Sequence, residues 1–151
     1  MRKIFILKGK SNTGKTSKIN RIVDWIINTH GAPNTVNFDL NKFEKDVFGV
    51  LEVKNLTIGI NSSGDNQEEV QNIERLKLDC DEYPDIILCA CRTKGKGRRY
   101  LDSNFNYAKG WLKVYFDVKE YNSVSIEKQM TRDERIVAEI KTWLTGLGKI
   151  D

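Results

Sequence analysis

The chain has 151 residues, 39% hydrophobic and 30% charged, a length that suits one domain with a single core and a balance ordinary for a soluble protein. Its longest apolar runs fall far short of the roughly 20 residues that cross a bilayer, and Met1-Arg2-Lys3 leads into an apolar stretch with no signal-peptide cleavage pattern. A cytoplasmic protein with no membrane partner is therefore expected, and a net charge of +4 permits a nucleic-acid partner without requiring one.

Ile4-Phe5-Ile6-Leu7 opens the chain as a buried strand. Directly after it, Gly9-Lys10-Ser11-Asn12-Thr13-Gly14-Lys15-Thr16 completes the pattern G-x-x-x-x-G-K-[ST]. Successive backbone N–H groups and the N-terminus of a following helix can cradle the α- and β-phosphates of a nucleoside triphosphate there. Lys15 is expected to reach the β- and γ-phosphates, and the Thr16 hydroxyl to sit on Mg²⁺. The helix is legible too: Ile19, Ile22, Val23, Ile26 and Ile27 recur at helical spacing, and Gly31 followed by Pro33 marks its end. His30, the single histidine, falls in the last turn, where the helix dipole favours a cation. A capping role is expected for it, and a histidine-based nucleophilic triad is excluded.

Thr35-Val36-Asn37-Phe38 reads as a short strand ending at Asp39. Residues 47–53 and 56–60 alternate and are separated by Lys54-Asn55, which predicts a tight hairpin. Asp65 with Glu68 resembles a helix-start capping pair, and Val70, Ile73, Leu76 and Leu78 follow on an inward face. After Pro84, residues 86–91 are continuously apolar, as in a central strand buried on both faces. Cys89 and Cys91 share that strand two residues apart and cannot bridge; with Cys80 they are expected as buried, reduced thiols. Residues 111–121 alternate, with Leu112, Val114, Phe116 and Val118 on one face, and predict a half-exposed strand near the sheet edge. Thr131-x-x-Glu134 is a capping box opening a helix with Ile136, Val137, Ile140, Trp143 and Leu144 on its stripe. The order fits a three-layer α/β/α sheet, mostly parallel with a β-hairpin, in one domain over 1–151.

In open α/β sheets the ligand lies at the carboxyl ends of the strands. Asp39, residues 61–65 and the run Arg92-Thr93-Lys94-Gly95-Lys96-Gly97-Arg98-Arg99 are therefore expected to converge with the loop at 9–16. A Mg²⁺ site needs a carboxylate near Thr16. Asp65 is the candidate for the Mg²⁺-side carboxylate or water orienter, and Asp39 for the acceptor-side base. Each has a plainer reading, Asp65 as an N-cap and Asp39 as the end of a strand. The run at 92–99 carries five cations in eight residues and admits three readings. It is a solvated loop, a mobile lid hinged at Gly95 and Gly97 whose arginines offset transition-state charge, or a nucleic-acid contact. Tyr100, Phe105, Tyr107 and Trp111 either stack on a base or pack beneath that loop.

Over residues 4–27 the chain resembles the P-loop NTPase superfamily. Its small size, Asp39 after the second strand and the arginine-rich run after a central strand are similar to small nucleotide and small-molecule kinases. That resemblance implies ATP with Mg²⁺ as phosphoryl donor and an acceptor hydroxyl or phosphate held near the second strand. The hairpin before a Gly-Asp turn is similar to the small GTPases, but D-x-x-G is missing at the matching place and no N-K-x-D occurs, so adenine is expected over guanine. The expected function is a kinase-like phosphotransferase or NTP hydrolase using Lys15, Asp39, Asp65, Arg92, Arg98 and Arg99. The alternative is a nucleotide-gated binding module for a protein or nucleic-acid partner.

Overall fold

Apolar runs of strand length alternate with helical stripes along this chain, and a layered α/β arrangement follows. The computed structural model describes residues 1–10, 14–53 and 55–118, with 134, 135, 138, 141 and 142. Strand β1 (Arg2–Lys8) carries the Ile4-Phe5-Ile6-Leu7 run, fully buried. Helix α1 (Lys15–His30) follows and ends at Gly31, whose left-handed φ of 65° turns the chain off the helix axis. Strands β2 (Phe48–Val53) and β3 (Leu56–Asn61) form the expected antiparallel hairpin, with Val53 opposite Leu56. Helix α2 (Gln67–Gln71) runs into a 3-10 turn over Asn72–Leu76. Strand β4 (Ile86–Cys91), helix α3 (Lys96–Asn104) and strand β5 (Trp111–Asp117) complete the described elements.

The five strands form one sheet in the order β2-β3-β4-β1-β5. Strands β3, β4, β1 and β5 run parallel, and β2 is antiparallel at one edge. β4 is the middle strand, and all six of its residues are buried, as its unbroken apolar run requires. Alternate residues feed two cores. Phe5, Leu7, Leu88 and Ala90 pack with Ile19, Ile22, Val23 and Ile26 of α1. Ile4, Ile6, Ile87 and Cys89 pack with Val70, Ile73 and Leu101 on the opposite face. Val114 and Phe116 of edge strand β5 face the α1 core, as their alternation predicts. Among the described residues no helix is long and apolar enough to cross a membrane.

Three expectations need correction. Residues 35–38 are not a strand. Asn34 folds them locally, its Oδ1 accepting from Val36 N at 3.4 Å and Phe38 N at 3.0 Å, and Asn37 turns left-handed at φ 58°. An amide side chain that satisfies the backbone in this way competes with ladder pairing. The basic run at 92–99 is only half a loop, because α3 begins at Lys96. Gly97 is no hinge: it lies in the first turn of α3, where a Cβ would meet Val70 Cγ2 at 2.9 Å. Finally, Cys80 is exposed, and only Cys89 and Cys91 are buried. Ile136, Val137, Ile140, Trp143 and Leu144 lie outside the described residues, as do Thr131 and the part of the edge strand from 119 to 121. Glu134, Arg135, Ala138, Lys141 and Thr142 are helical, and Lys141 Nζ stands 5.4 Å from the Trp25 ring.

The strand register positions the site. Lys8 pairs with Cys91 and with Asp117, and Asn61 with Cys89 and with Phe48. The carboxyl ends of the four parallel strands and the amino end of β2 therefore share one edge of the sheet.

Candidate functional site

β1 hands over to α1 through the loop at that edge. Gly9 N donates to Cys91 O at 3.1 Å, which fastens the start of the loop to the tip of β4. Gly14 caps α1 at φ 87°, a left-handed conformation that suits glycine. Ser11, Asn12 and Thr13 lie outside the described residues. Lys15 is 6% exposed; its Nζ donates to Gly9 O at 2.6 Å and to Lys10 O at 3.1 Å. Asp65 Oδ1 stands 3.9 Å from the same nitrogen. Burial pulls the Lys15 amine below its ordinary pKa of 10.5, and the carboxylate of Asp65 works against that shift.

The opposite wall contains a residue that no sequence motif announces. Thr16 Oγ1 donates to Asp46 Oδ1 at 3.2 Å, and Ser62 Oγ donates to the same oxygen at 3.1 Å. Ser62, 2% exposed, also accepts from Val47 N at 2.9 Å, and its own N–H donates to Val47 O at 3.1 Å. Asp46 lies just before β2 and reaches Thr16 because that strand returns antiparallel along β3. Its neighbours Lys42, Phe43, Glu44 and Lys45 carry no recognisable pattern, so only the tertiary path could reveal it.

Gly64 and Asp65 come next. A Cβ on Gly64 would sit 2.0 Å from Ala90 O, so only glycine lets this turn press against the end of β4. Asp65 is not the helix cap. Asn66 holds that position, its Oδ1 accepting from Glu69 N at 2.8 Å, while Glu69 Oε2 accepts from Asp65 N at 2.8 Å. The cap thus sits one residue beyond its expected place, with Glu69 reaching back to the N–H of the residue before it, and the Asp65 carboxylate lies over Lys15 instead.

These elements enclose a cavity of about 380 Å³, lined by Gly14 to Ser17, Glu44, Asp46, Ser62 to Asp65, and Glu69. Lys15, Thr16 and Asp65 meet there as expected. Asp39 is not among the lining residues; its Oδ1 accepts from Asn41 N at 2.9 Å in a local turn. Arg92 is exposed, and its positive charge bears on the Lys15 amine. Arg98 is turned aside: its guanidinium donates to Thr93 O at 2.7 Å, pairs with Asp102 at 3.7 Å and covers the Tyr115 ring at 5.0 Å. Arg99 is exposed in the first turn of α3. Phe105 and Trp111 are buried edge-to-face at 4.9 Å, so they pack beneath the basic segment, and Tyr107 is 76% exposed.

The donors around Thr16 are hydroxyl and carboxylate oxygens, the chemistry that Mg²⁺ prefers. Among the described residues no group of three or more His, Cys, Asp or Glu could hold a metal by itself. A nucleotide-borne Mg²⁺ needs only one or two protein carboxylates, because phosphates and water complete its shell, so this donor set fits one. No family model matches the chain, and neither a curated protein nor a solved structure matches it.

Proposed function

We propose that the chain is a P-loop nucleotide-binding protein of three-layer α/β/α type, acting on ATP with Mg²⁺ as a kinase-like phosphotransferase or hydrolase. The observation that carries this reading is Lys15, a buried amine held by the carbonyls of its own loop at the foot of a polar cavity. A lysine desolvated there gains most when an anion arrives, because phosphate oxygens replace the carbonyl partners and restore the charged form. The backbone N–H groups at the start of α1 hold the phosphate chain. Thr16 and a carboxylate of the cavity would hold Mg²⁺, which would supply positive charge to offset that of the phosphates. Asp65 and Glu69, on the other side of Lys15, orient the attacking hydroxyl or water. Arg92 offsets charge from outside the cavity. Most of the rate then comes from positioning and electrostatics.

One observation favours the second reading, a nucleotide-gated binding module with slow turnover. β3 ends in Asn61, where a phosphate-transferring site places a carboxylate. Its amide is engaged by Glu69 O at 3.0 Å and Ser63 N at 3.2 Å.

The test is ATP turnover with Mg²⁺, wild type against Lys15→Ala, with and without nucleoside, nucleotide and polynucleotide acceptors. Turnover that rises with one acceptor and drops about 100-fold or more in the variant supports the kinase reading. Tight binding with negligible turnover moves the assignment to the gated module. Steep salt dependence of polynucleotide binding would then identify its partner class. A protein that neither binds nor turns over ATP sinks both.

A further inference from the structure

The connection from α1 to β2 is held at one place with unusual commitment. Asn20, on the inner side of α1 and 1% exposed, donates from Nδ2 to Phe43 O at 2.5 Å and to Lys45 O at 2.8 Å. Its Oδ1 is buried and has no hydrogen-bond partner among the described residues. Leaving a buried acceptor unpartnered is unfavourable, and what the fold obtains in return is a clamp on the backbone either side of Glu44. The next residue is Asp46, pinned from the far side by Ser62. We propose that Asp46, not Asp65, is the Mg²⁺-side carboxylate of this site, and that Asn20 and Ser62 are positioning residues that hold it beside Thr16. The inference rests on the nucleotide reading above and deepens it.

Spacing separates the two carboxylates. Octahedral Mg²⁺ with its ligands at 2.0–2.1 Å puts neighbouring ligand oxygens about 2.9 Å apart. Thr16 Oγ1 and Asp46 Oδ1 are 3.2 Å apart, close to the separation that two adjacent ligands need. Asp65 instead stands 3.9 Å from the Lys15 amine and makes an ion pair with it. A carboxylate brought in by the α1–β2 connection also accounts for the amide at the end of β3. With Asp46 arriving from the neighbouring edge strand, Asn61 is free to serve as a structural bracket for the turn at 62–65.

The experiment is calorimetric binding of the non-hydrolysable analogue β,γ-imido-ATP in EDTA and in Mg²⁺, with Mn²⁺ paramagnetic resonance as a direct readout of the metal. The wild type should bind in EDTA and more tightly in Mg²⁺. Asp46→Asn should keep the EDTA affinity and lose metal affinity by about 10- to 100-fold, the usual effect of disturbing a metal's immediate support. Asn20→Ala and Ser62→Ala should lose the same increment, and Asn20→Ala should add nothing in the Asp46→Asn background. Asp65→Asn should change the EDTA affinity and leave the Mg²⁺ increment in place. An increment that survives Asp46→Asn overturns the inference, as does an Asn20→Ala loss that adds to that of Asp46→Asn. If Asn20→Ala does not fold, Asp46→Asn and Ser62→Ala decide. Absence of analogue binding in either buffer refutes the nucleotide reading itself and the inference with it, whereas binding indifferent to Asp46 refutes the inference alone.

Discussion

Gly64 is the residue on which the shape of the cavity most directly depends. Its missing Cβ would lie 2.0 Å from Ala90 O, 2.4 Å from Ala90 C and 2.9 Å from Cys91 N. All three are backbone atoms of the central strand and have nowhere to go. Gly64→Ala should therefore cost about 3 kcal/mol, at the upper end for overpacking, measured by urea unfolding. A loss below about 1 kcal/mol would mean that the turn is looser than its packing implies. At this scale the sequence was informative where chemistry is written in neighbours. Gly14, Lys15 and Thr16 stand in one motif. Asp46 and Asn20 escaped because their partners are 30 and 23 to 25 residues away, and neither belongs to a pattern of its own.

Among the elements, α3 shows where local reading stops. Lys96, Gly97, Arg98 and Arg99 look like a solvated loop, since two glycines and five cations in 92–99 outweigh the later apolar residues. They become a helix because Leu101 and Phe105 anchor it in the core below the sheet and Gly97 lets it approach Val70. The same α3 is tied to β5 through Asp102, whose Oδ1 accepts from Lys113 Nζ at 2.7 Å and Tyr115 Oη at 2.6 Å. Partial burial pushes the Asp102 carboxyl up, but those hydrogen bonds and the charges of Lys113 and Arg98 outweigh it and hold the pKa below the ordinary 3.8. A depressed carboxyl contributes stability that is present above its unfolded pKa and fades as pH falls through the folded one. Asp102→Asn should lower stability by about 1 kcal/mol at neutral pH, discounted because solvent screens a half-exposed group. It should lose less as the pH drops below about 4. Denaturation profiles of the two proteins that stay parallel down to that pH would contradict the network. The hairpin, by contrast, was readable from alternation and a two-residue gap. Residues 35–38 were not, because Asn34 supplies a rival set of backbone partners.

For the whole molecule, the buried amine and three tyrosines make opposite contributions at alkaline pH. Burial lowers Lys15 and raises Tyr83, Tyr100 and Tyr115. Between the folded value of Lys15 and 10.5 the unfolded chain keeps a proton that the folded one has lost, so this group's contribution grows with pH. The tyrosines do the reverse above about 10, because the folded protein then holds the extra protons. Lys15→Met leaves the tyrosines in place. The stability of the wild type relative to this variant should rise from pH 7 toward pH 10, as followed by urea unfolding, and a flat difference would show that the amine is better solvated than its burial implies. The sheet order was beyond the sequence, because pairing between β1 and β4 joins residues more than 80 apart. That order has a further consequence. Gly9, at the start of the loop that leads to Lys15, and Gly64, in the opposite wall, both lean on the last peptides of β4, a strand that lends no side chain to the lining. The gap between the walls is a dimension fixed by the strand, as a jaw is by its pivot. Foreign loop sequences grafted between these two glycines and their helices would inherit the same opening, and so could change what the cavity recognises without changing its width.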